Sequence, residues 1–417
     1  MKEKIKVFVI ADHPFSPSGV GTQTRYMVES LLETGKFNFI CFGGAIKHTD
    51  YKPQRTEKWG DDLVIYPVDG YGTQETVRSV IRTERPDILW FMTDPRFFPW
   101  LWEMEDEIRP LIPMIYYHVW DNYPYPEFNK IWYDSTDTVA CISKVTHDIV
   151  KTVSPEVKSC YLPHAVNPHF FKPLKEKENK ELREKMNIPE DQLVLFWNNR
   201  NARRKQPGTL IFWFKEFLDK IGHDKAKLIM HTDPRDPNGP NLLAIIQKLE
   251  LTNGQVQFST QKVDFPDLAA IYNVADVTVN ISDAEGFGLS TLESLACGTP
   301  IIVNMTGGLQ EQVTDGENWF GIGIEPISKA VIGSQDIPYI YEDRINKNDF
   351  LNALEKIYNM TKEERSAMGV LGIEHVNKNY KFENYTSRWE KLLTELHEES
   401  GSWETRVGYK TWHLDEV

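Results

Sequence analysis

Short apolar runs alternate with amphipathic stretches along most of the chain. In the first half, β-branched or aromatic runs predict strands, and stretches with apolar residues three or four positions apart predict helices. The predicted strands are Ile5–Ile10, Asn38–Phe42, Asp87–Met92, Ile112–His118 and Thr138–Ile142, and the predicted helices are Gly21–Glu33 and Thr73–Glu84. Strands that alternate with helices in this way are typical of a parallel sheet covered on both faces.

A second series of the same kind begins near residue 193. Its predicted strands are Leu193–Trp197, Leu228–His231, Val256–Ser259, Asp276–Ile281 and Pro300–Val303. Between the two series, the segment from Leu162 to Pro173 contains three prolines, which exclude a regular helix or a central strand. We therefore expect two α/β domains, residues 1–165 and 166–380, joined through this linker.

The last predicted helix, Phe382–Glu399, comes after the second series is complete. Its apolar residues recur at helical spacing, so this stripe must pack against another part of the protein. We expect residues 381–417 to form a C-terminal helix and tail that pack back toward the first domain, although residues 401–417 show no clear periodicity.

Length and composition agree with two soluble domains. A chain of 417 residues exceeds the size at which a single core usually stops growing, and 41% hydrophobic with 26% charged residues is ordinary for a globular protein. The net charge of -14 opposes sequence-independent binding to nucleic acid, because phosphate backbones are bound by clustered basic residues. The four cysteines are too scattered for a zinc site or a disulfide scaffold.

The first apolar run, Ile5–Ile10, is too short for the core of a signal peptide and is interpreted as a strand. No window of the sequence approaches the run of about 18 apolar residues that a membrane span requires. These patterns lead us to expect a soluble, cytoplasmic protein without a transmembrane segment.

The segment from Ile281 to Pro300 has the pattern of a strand end, a glycine loop, a short helix and a turn into the next strand. Glycines in the loop let the backbone approach a ligand closely, and the start of the helix presents unpaired N–H groups and a partial positive charge. The pattern predicts an anion site that suits a pyrophosphate. The residues expected to line it are Glu285, Gly286, Phe287, Gly288, Leu289, Ser290 and Glu293.

Two carboxylates flank this predicted anion site, Glu285 before the helix and Glu293 just after its first turn. Their spacing around Gly-Phe-Gly resembles the Glu-x7-Glu motif of family 4 of the retaining glycosyltransferases, the glycosyl transferases group 1. The resemblance covers most of the chain. It implies that Glu285 holds hydroxyls of the transferred sugar and acts in catalysis, and that Glu293 holds the nucleotide ribose. A surface helix start with incidental acids is the alternative.

The same resemblance implies an α/β fold of the GT-B type. Two Rossmann-like, doubly wound domains would face a cleft, with a C-terminal helix that crosses back to the first domain. The first domain would bind the acceptor, and the second would bind the nucleotide sugar.

A basic segment after the first strand of the second domain carries Arg200 and Lys205 five residues apart. This spacing resembles a family element whose two cations neutralise the donor pyrophosphate, which implies donor-binding and catalytic roles for both residues. Fixed cations lower the barrier because the leaving nucleoside diphosphate gains charge as the glycosidic bond breaks. The sequence has no Asp-x-Asp pair of the kind that metal-dependent glycosyltransferases use, so we expect no metal. Arg203 and Arg204 lie between the two residues, and a solvated basic turn is the alternative.

Elements of both halves complete the expected site. Gly19 and Gly21 follow the first strand and resemble the family's glycine loop beside the donor phosphates, with a plain strand-to-helix turn as the alternative. His118 ends an apolar strand where the family often has a histidine that meets the transferred sugar, which implies a catalytic role. A structural histidine with its hydrogen bonds satisfied is the alternative there. Thr306–Glu311 resembles the family's Gly-Gly-x-x-Glu step near the donor, with a plain helix start that carries a Glu in its first turn as the alternative.

The stretch from Arg96 to Tyr133 is rich in aromatic residues, whose flat faces suit stacking on sugars or on unstacked bases. Most of these rings are expected in the core. The candidates for acceptor binding are Trp120, Asp121, Asn122 and Tyr123.

The resemblance implies a glycosyltransferase that moves a sugar, with retention at the anomeric carbon, from a nucleoside diphosphate sugar to an acceptor hydroxyl. A UDP-sugar such as UDP-glucose is the favoured donor and acts as a co-substrate, and no tightly bound cofactor is expected. A glycan or lipid-linked glycan is the favoured acceptor, and a small molecule also fits. The alternatives are a phage-type enzyme acting on hydroxymethylated DNA bases and a non-catalytic nucleotide-sugar-binding scaffold. The acidic charge disfavours DNA.

Overall fold

The computed structural model describes residues 4–410, and the chain divides into two compact units. Unit 1 consists of Met1–His164, Gly333–Tyr339 and Glu383–Val417, and unit 2 of Ala165–Ile332 and Ile340–Phe382. The division thus places residues 333–339 with the first unit, whereas the boundaries expected from the sequence include them in the second domain. Of the tail expected at residues 401–417, residues 411–417 lie outside the described part.

Strands and helices alternate along both units. The strands are β1 (Ile5–Asp12), β2 (Phe37–Gly44), β3 (Gln54–Arg55), β4 (Leu63–Pro67), β5 (Ile88–Phe91), β6 (Met114–His118), β7 (Thr138–Cys141), β8 (Lys158–Tyr161), β9 (Leu193–Asn198), β10 (Ala226–His231), β11 (Val256–Ser259), β12 (Val277–Asn280), β13 (Ile301–Asn304), β14 (Gly321–Ile324), β15 (Ser328–Ile332) and β16 (Ile340–Arg344). The helices are α1 (Gly19–Glu33), α2 (Gln74–Glu84), α3 (Pro99–Trp102), α4 (Glu105–Ile108), α5 (Lys130–Asp134), α6 (Lys144–Val153), α7 (Glu176–Lys185), α8 (Pro207–Ile221), α9 (Leu242–Lys248), α10 (Phe265–Val274), α11 (Leu289–Ala296), α12 (Leu309–Val313), α13 (Lys347–Asn359), α14 (Lys362–Asn379) and α15 (Phe382–Ser400).

Unit 1 is built on an eight-stranded sheet with the order β3-β4-β2-β1-β5-β6-β7-β8. All neighbours in it are parallel except β3, which pairs antiparallel to β4 at the edge. The central strands β1, β5 and β6 are almost wholly buried, as expected for a parallel sheet covered on both faces. This explains why their sequences are near-continuous apolar runs.

Helix α15 packs in unit 1, as the fold expected from the sequence requires. Its Trp389 is fully buried, with its ring 5.8 Å from that of Trp90 and 4.8 Å from that of Tyr117. The hydroxyl of Tyr385 donates a hydrogen bond of 3.1 Å to the carbonyl of Gln23 on α1. The apolar stripe of the last helix is therefore buried against the first sheet.

Unit 2 has a six-stranded parallel sheet with the order β11-β10-β9-β12-β13-β14. The strand order reverses between β9 and β12, so the loops that follow these two strands begin next to each other at one edge of the sheet. Such switch points are where open α/β sheets bind ligands. Among residues 4–410, no helix is long and apolar enough to cross a lipid bilayer.

Some elements were not apparent in the sequence. The charged stretch that follows the linker forms α7, and β4, β8 and β14 extend the two sheets beyond the strands expected. A separate antiparallel ribbon of β15 and β16 lies outside both sheets, with Ser328 opposite Arg344 and Ile332 opposite Ile340.

Candidate functional site

The candidate donor site lies at the carboxyl ends of β9 and β12 in unit 2. A 3-10 turn, Arg203–Lys205, follows β9, and the loop that bears Glu285 follows β12. Because β9 and β12 are adjacent parallel strands, both segments leave the same edge of the sheet. The fold therefore brings together two sequence motifs that are 80 residues apart.

Lys205 and Glu285 form the central ion pair of this site. The Lys205 ammonium donates to Oε2 of Glu285, and both side chains are about nine-tenths buried, at 10% and 12% exposure. The amide of Asn280 at the end of β12 donates to the same oxygen at 3.3 Å. Burial raises the pKa of Glu285, but the charges of Lys205 and Arg204 outweigh it, and the net pKa lies below its ordinary value. Glu285 is thus held as a carboxylate.

Glu293 lies on α11 in a different environment from Glu285. Its Oε2 accepts a hydrogen bond of 2.7 Å from the hydroxyl of Tyr272 on α10, which in turn accepts one of 2.9 Å from the amide of Asn198. Burial raises the pKa of Glu293 to about 7, against the lowering effect of the Tyr272 hydrogen bond. The two carboxylates of the motif therefore differ in charge state near neutral pH, as expected when only one of them has a cationic partner.

Helix α11 begins at a left-handed glycine between the two carboxylates. Gly288 has φ +91°, and a Cβ there would lie 2.5 Å from Leu309 Cδ2 and 2.8 Å from Thr291 Oγ1. Only glycine fits both this backbone conformation and this space. The helix therefore starts with Leu289 and Ser290 directly after the loop, which leaves its first N–H groups at the edge of the sheet.

The turn at Gly307 and Gly308, just before α12, supports the Glu285 loop. The N–H of Gly308 donates to the carbonyl of Glu285 at 3.0 Å, and the amide of Gln312 donates to the carbonyl of Phe287 at 2.6 Å. Glu311 is buried, and its Oε1 accepts from the Tyr380 hydroxyl at 3.2 Å. This segment holds the loop in place, while its own carboxylate is engaged by a tyrosine.

Arg200 lies apart from the Lys205–Glu285 pair. Its guanidinium binds Asp236 on the loop after β10, with Nε 2.6 Å from Oδ2, and its side chain is 67% exposed. The hydrogen bond from Arg200 lowers the pKa of Asp236 to about 2. The arginine that accompanies Lys205 is instead Arg204, which donates to the carbonyl of Ala284 and adds to the positive charge beside Glu285.

Gly19 and Gly21 lie at the start of α1 in unit 1. Gly19 is the exposed first residue of the helix, and the N–H of Gly21 donates to the Ser18 hydroxyl at 2.9 Å. A Cβ at Gly21 would lie 2.1 Å from Ser16 Oγ and 2.8 Å from the carbonyl of His13. Gly21 is thus required by close packing of the loop itself, whichever ligand the loop meets.

His118 is the last residue of β6 and is fully buried in unit 1. Its Nε2 lies 2.7 Å from the Tyr133 hydroxyl, which also accepts a hydrogen bond from the amide of Asn129. Burial lowers the pKa of His118 to about 3, which keeps the ring neutral. The other ring nitrogen, Nδ1, has no hydrogen-bond partner among the described residues.

The four acceptor candidates lie on the loop after β6. Trp120 and Asn122 are buried, and the Trp120 indole N–H donates to the carbonyl of Asn122 at 2.7 Å. Asp121 and Tyr123 are partly exposed, and the Tyr123 hydroxyl donates to Asp148 at 3.0 Å. Trp120 and Asn122 thus shape the loop, and Asp121 and Tyr123 are accessible to a ligand.

Sequence reasoning assigned no role to several residues that the structure brings to the donor site, namely Tyr272, Asn280, Arg204 and Gln206. Asn280 ends an apolar strand, the same signal that singled out His118 in the first half. Tyr272 carries no such signal, since its apolar helix neighbours make it look like an ordinary core residue.

Comparison with known proteins identifies the segment that carries this geometry. Residues 178–366 match the model of the family described as glycosyl transferases group 1. This part of the chain belongs to the group 1 glycosyltransferases. The matched segment contains the turn at Lys205, the loop at Glu285 and helix α11.

Curated relatives of this glycosyltransferase segment include enzymes of different named activities. The chain is 29% identical over 181 residues to the alpha-monoglucosyldiacylglycerol synthase of Streptococcus pneumoniae. The aligned residues cover 43% of this chain and 40% of the relative. It is 30% identical over 175 residues to D-inositol 3-phosphate glycosyltransferase 2 of Catenulispora acidiphila, with 40% of each covered. The matched part thus spans 40% of the length of either relative.

Solved structures extend the likeness to the fold of almost the whole chain. Sucrose-phosphate synthase from Thermosynechococcus elongatus has a TM-score of 0.75 and 19% identity, and the match covers 95% of this chain and all of that chain. The Anabaena protein HepE, solved in complex with UDP and glucose, has a TM-score of 0.69 and 13% identity, with 94% of this chain and all of that chain covered. The GT-B fold expected from the sequence is confirmed, with two Rossmann-like units.

Proposed function

We propose that this protein is a retaining, metal-independent glycosyltransferase that uses a nucleoside diphosphate sugar, with a UDP-sugar as the favoured donor. One observation carries the proposal: a buried ion pair joins Lys205 to Glu285 on the loop that leads into α11, and Glu293 lies on that helix. The Lys205 ammonium and the N–H groups at the start of α11 suit a pyrophosphate, and the carboxylates of Glu285 and Glu293 suit hydroxyls. HepE, of similar fold, was solved with UDP and glucose bound, which supports the choice of donor.

In the proposed reaction, the bond between the sugar's anomeric carbon and the β-phosphate oxygen breaks, and its electron pair passes to that oxygen. The acceptor oxygen forms the new bond on the same face of the sugar, and its proton passes to the departing phosphate oxygen. Lys205 and the helix start stabilise the charge that develops on the phosphate. Glu285 holds hydroxyls of the transferred sugar, and Glu293 holds those of the ribose.

Arg200 is proposed as a second cation for the pyrophosphate, which it can reach only after leaving Asp236. The guanidinium end of this pair is 67% exposed, and ion pairs at the surface are worth about 0–1 kcal/mol, so the doubly charged pyrophosphate can compete for the guanidinium. We propose that His118 contributes its Nδ1–H as a neutral hydrogen-bond donor toward the sugar. The acceptor is proposed to be a glycan or lipid-linked glycan and to bind unit 1, with Asp121 and Tyr123 as accessible contacts.

The test is a thermal-shift and hydrolysis screen of the full chain against UDP-, GDP-, ADP- and CMP-sugars, with EDTA present. The variants are Glu293→Ala and Lys205→Ala, and Lys215→Ala is the matched control because Lys215 is a partly exposed lysine in the same unit. One donor should raise the melting temperature of the parent and of the control, and both proteins should hydrolyse it. Both effects should be lost in the two site variants. NMR of the first-formed sugar should show the anomer of the donor, since retention is proposed.

Other outcomes of the screen would count against parts of the proposal. Activity that EDTA abolishes and a divalent metal restores would contradict metal independence, and the opposite anomer would contradict retention. Binding without turnover of any donor would favour the non-catalytic scaffold. No stabilisation by any donor, or equal stabilisation of parent and site variants, would remove the donor-site assignment altogether.

A further inference from the structure

The ribbon of β15 and β16 ends at the candidate donor site, within unit 2. Its last three residues are Glu342, Asp343 and Arg344. The N–H of Asp343 donates to the carbonyl of Asp283 at 2.8 Å, and the Asp343 carboxylate accepts from the Thr306 hydroxyl at 2.7 Å. The ribbon thus adds a contact to the backbone two residues before Glu285, although the proposed chemistry gives the ribbon no role.

Glu342 is the most buried acid of this ribbon, with a side-chain exposure of 2%. Its two carboxylate oxygens accept hydrogen bonds from Nη1 and Nη2 of Arg203, at 2.9 and 2.5 Å, in a bidentate arrangement. Arg344 donates to Oε2 of the same carboxylate at 2.5 Å. One buried carboxylate therefore holds two arginines.

Each arginine connects Glu342 to the segment that carries one member of the Lys205–Glu285 ion pair. Arg203 belongs to the same 3-10 turn as Lys205, two residues before it. Arg344 places its Nη1 3.2 Å from Oδ2 of Asp283, which lies two residues before Glu285. Glu342 thus connects the two segments that carry Lys205 and Glu285, in addition to the ion pair itself.

We propose that Glu342 is a positioning residue that fixes the turn of Lys205 and the loop of Glu285 relative to each other in the donor site. The inference rests on the proposed function, because it assigns Glu342 a part in the same reaction. Two long side chains form a catalytic pair only if their backbones are held in place, and a displacement of about 1 Å can cost about a hundredfold in rate. Bidentate recognition of an arginine needs a carboxylate, because a glutamine offers only one acceptor oxygen.

The charged groups around Glu342 also predict a pH effect. The groups that face it or its partners are Arg203, Arg344, Asp283, Asp343 and Lys329, with Arg204 and Lys205 next along the turn. Burial raises the pKa of Asp283 to about 6, and the negative charge of Glu342 adds to the rise. Below this pH, Asp283 becomes neutral and loses its ionic hold on Arg344, so the activity of the parent should fall. Removing the charge of Glu342 should shift this fall to lower pH.

The experiment compares the full-length parent with Glu342→Gln, Arg203→Met and the control Glu317→Gln, an exposed acid of the same unit. Arg203→Met cuts only the connection to the Lys205 turn, at a side chain that is 59% exposed, so it remains informative if Glu342→Gln folds poorly. The measurements are kcat and KM for donor hydrolysis from pH 5 to 8, the affinity for the donor's nucleoside diphosphate, and hydrogen exchange of the peptide 283–286.

Both variants should lower kcat at least about tenfold while the nucleoside diphosphate affinity changes less than about threefold, because positioning acts on the transition state more than on binding. Exchange of residues 283–286 should be faster in Glu342→Gln, and the acid limb of its pH profile should lie at lower pH. Parent-like kcat, pH profile and exchange would overturn the proposal. So would a parallel loss of activity, nucleotide affinity and melting temperature, which indicates a merely structural residue.

Failure of the proposed function gives a different result from failure of this inference. A parent that turns over no donor contradicts the proposed function, and hydrogen exchange then decides the inference alone. Faster exchange at residues 283–286 in Glu342→Gln, but not in Glu317→Gln, would still show that Glu342 holds the loop. Unchanged exchange would overturn that too.

Discussion

Burial raises the pKa of the Glu293 carboxyl to about 7, whereas the charges of Lys205 and Arg204 keep Glu285 ionised. To accept hydroxyls of a ribose as an anion, Glu293 must lose its proton. Donor affinity should therefore increase about tenfold from pH 6 to pH 8. Calorimetry with an intact nucleotide sugar measures this, because its phosphates do not titrate in that range.

Glu293→Gln is the matched variant for this pH effect, since an amide has nearly the shape of the acid and does not titrate. Its donor affinity should be weaker at pH 8 and nearly independent of pH. If the variant shows the same increase as the parent, another group is responsible, and the ribose role of Glu293 loses its support.

The same raised pKa predicts how stability depends on pH. Because the folded-state pKa of Glu293 lies above the unfolded value, its contribution to stability is fully present below about pH 4.5 and is lost as pH rises through about 7. At pH 8, Glu293→Gln should therefore be more stable than the parent, by up to roughly 3 kcal/mol. Urea unfolding at pH 5 and pH 8 measures the difference, which should shrink at pH 5. The exposed acid Glu363, replaced by Gln, should show no such pH-dependent gain.

The positions of some candidate site residues could be predicted where the sequence carries a motif. Glu285, Glu293 and Lys205 were singled out because their spacing resembles motifs of a known family, and the structure brings Lys205 and Glu285 into contact. The choice between Arg200 and Arg204 could not be made this way, because a spacing does not show which side chain a 3-10 turn directs toward Glu285. In the structure Arg204 lies beside Glu285, and Arg200 binds Asp236. The catalytic roles stay predictions.

At the scale of elements, Gly288 is the residue on which the start of α11 depends. Alanine there must adopt φ near +91° and place its Cβ 2.5 Å from Leu309. We expect Gly288→Ala to lower the free energy of unfolding by at least about 3 kcal/mol and to abolish donor binding, since both strain and a clash act on the helix start. Urea unfolding and donor calorimetry are the measurements.

Gly316 provides a control that separates strain from clash. Its φ is +97°, close to that of Gly288, but nothing lies within 4 Å of an added Cβ. Gly316→Ala should therefore cost only about 1–2 kcal/mol and leave donor binding unchanged. Equal losses in the two variants would mean that the backbone conformation, and not the packing against Leu309, makes glycine necessary at position 288.

Strands with a continuous apolar run were predicted to within a few residues, as in β9 and β13. The ribbon of β15 and β16 was missed because only one of its ten residues is buried, so no apolar face marks its sequence. Its sequence gave no hint that Glu342 is buried, because Arg203, which binds both of its carboxylate oxygens, comes from a distant part of the chain. A pattern shows which face of an element is apolar, and it cannot show which charged groups will meet.

At the scale of the whole molecule, the number and order of α/β units followed from length and periodicity. The sequence pattern did not show that residues 333–339 belong with the first unit, where Tyr339 packs its ring 5.2 Å from that of Phe128. The return of the chain to unit 1 after residue 383 was expected, but its mode of attachment was not. That attachment depends on a buried charge network that no local pattern encodes.

The end of the described chain is held to unit 1 by Arg406, whose side chain is 1% exposed. Its Nη2 lies 2.7 Å from Oδ1 of Asp137, and its Nε donates to the carbonyl of Arg109 at 2.7 Å. Arg406→Met removes a partner from a buried carboxylate and leaves carbonyls unsatisfied. The expected loss is about 3–5 kcal/mol in the free energy of unfolding, measured by urea denaturation.

Arg85 holds the same tail from the surface and is the matched control. It binds Glu404 with both side chains largely exposed, and its guanidinium lies 3.9 Å from the ring centroid of Trp403. Arg85→Met should cost no more than about 1 kcal/mol and lose most of that effect in high salt, because exposed pairs are screened. The loss in Arg406→Met should persist in salt, since its partners are buried. Equal, salt-sensitive losses in both variants would mean that the tail is attached only at the surface and is not part of the core of unit 1.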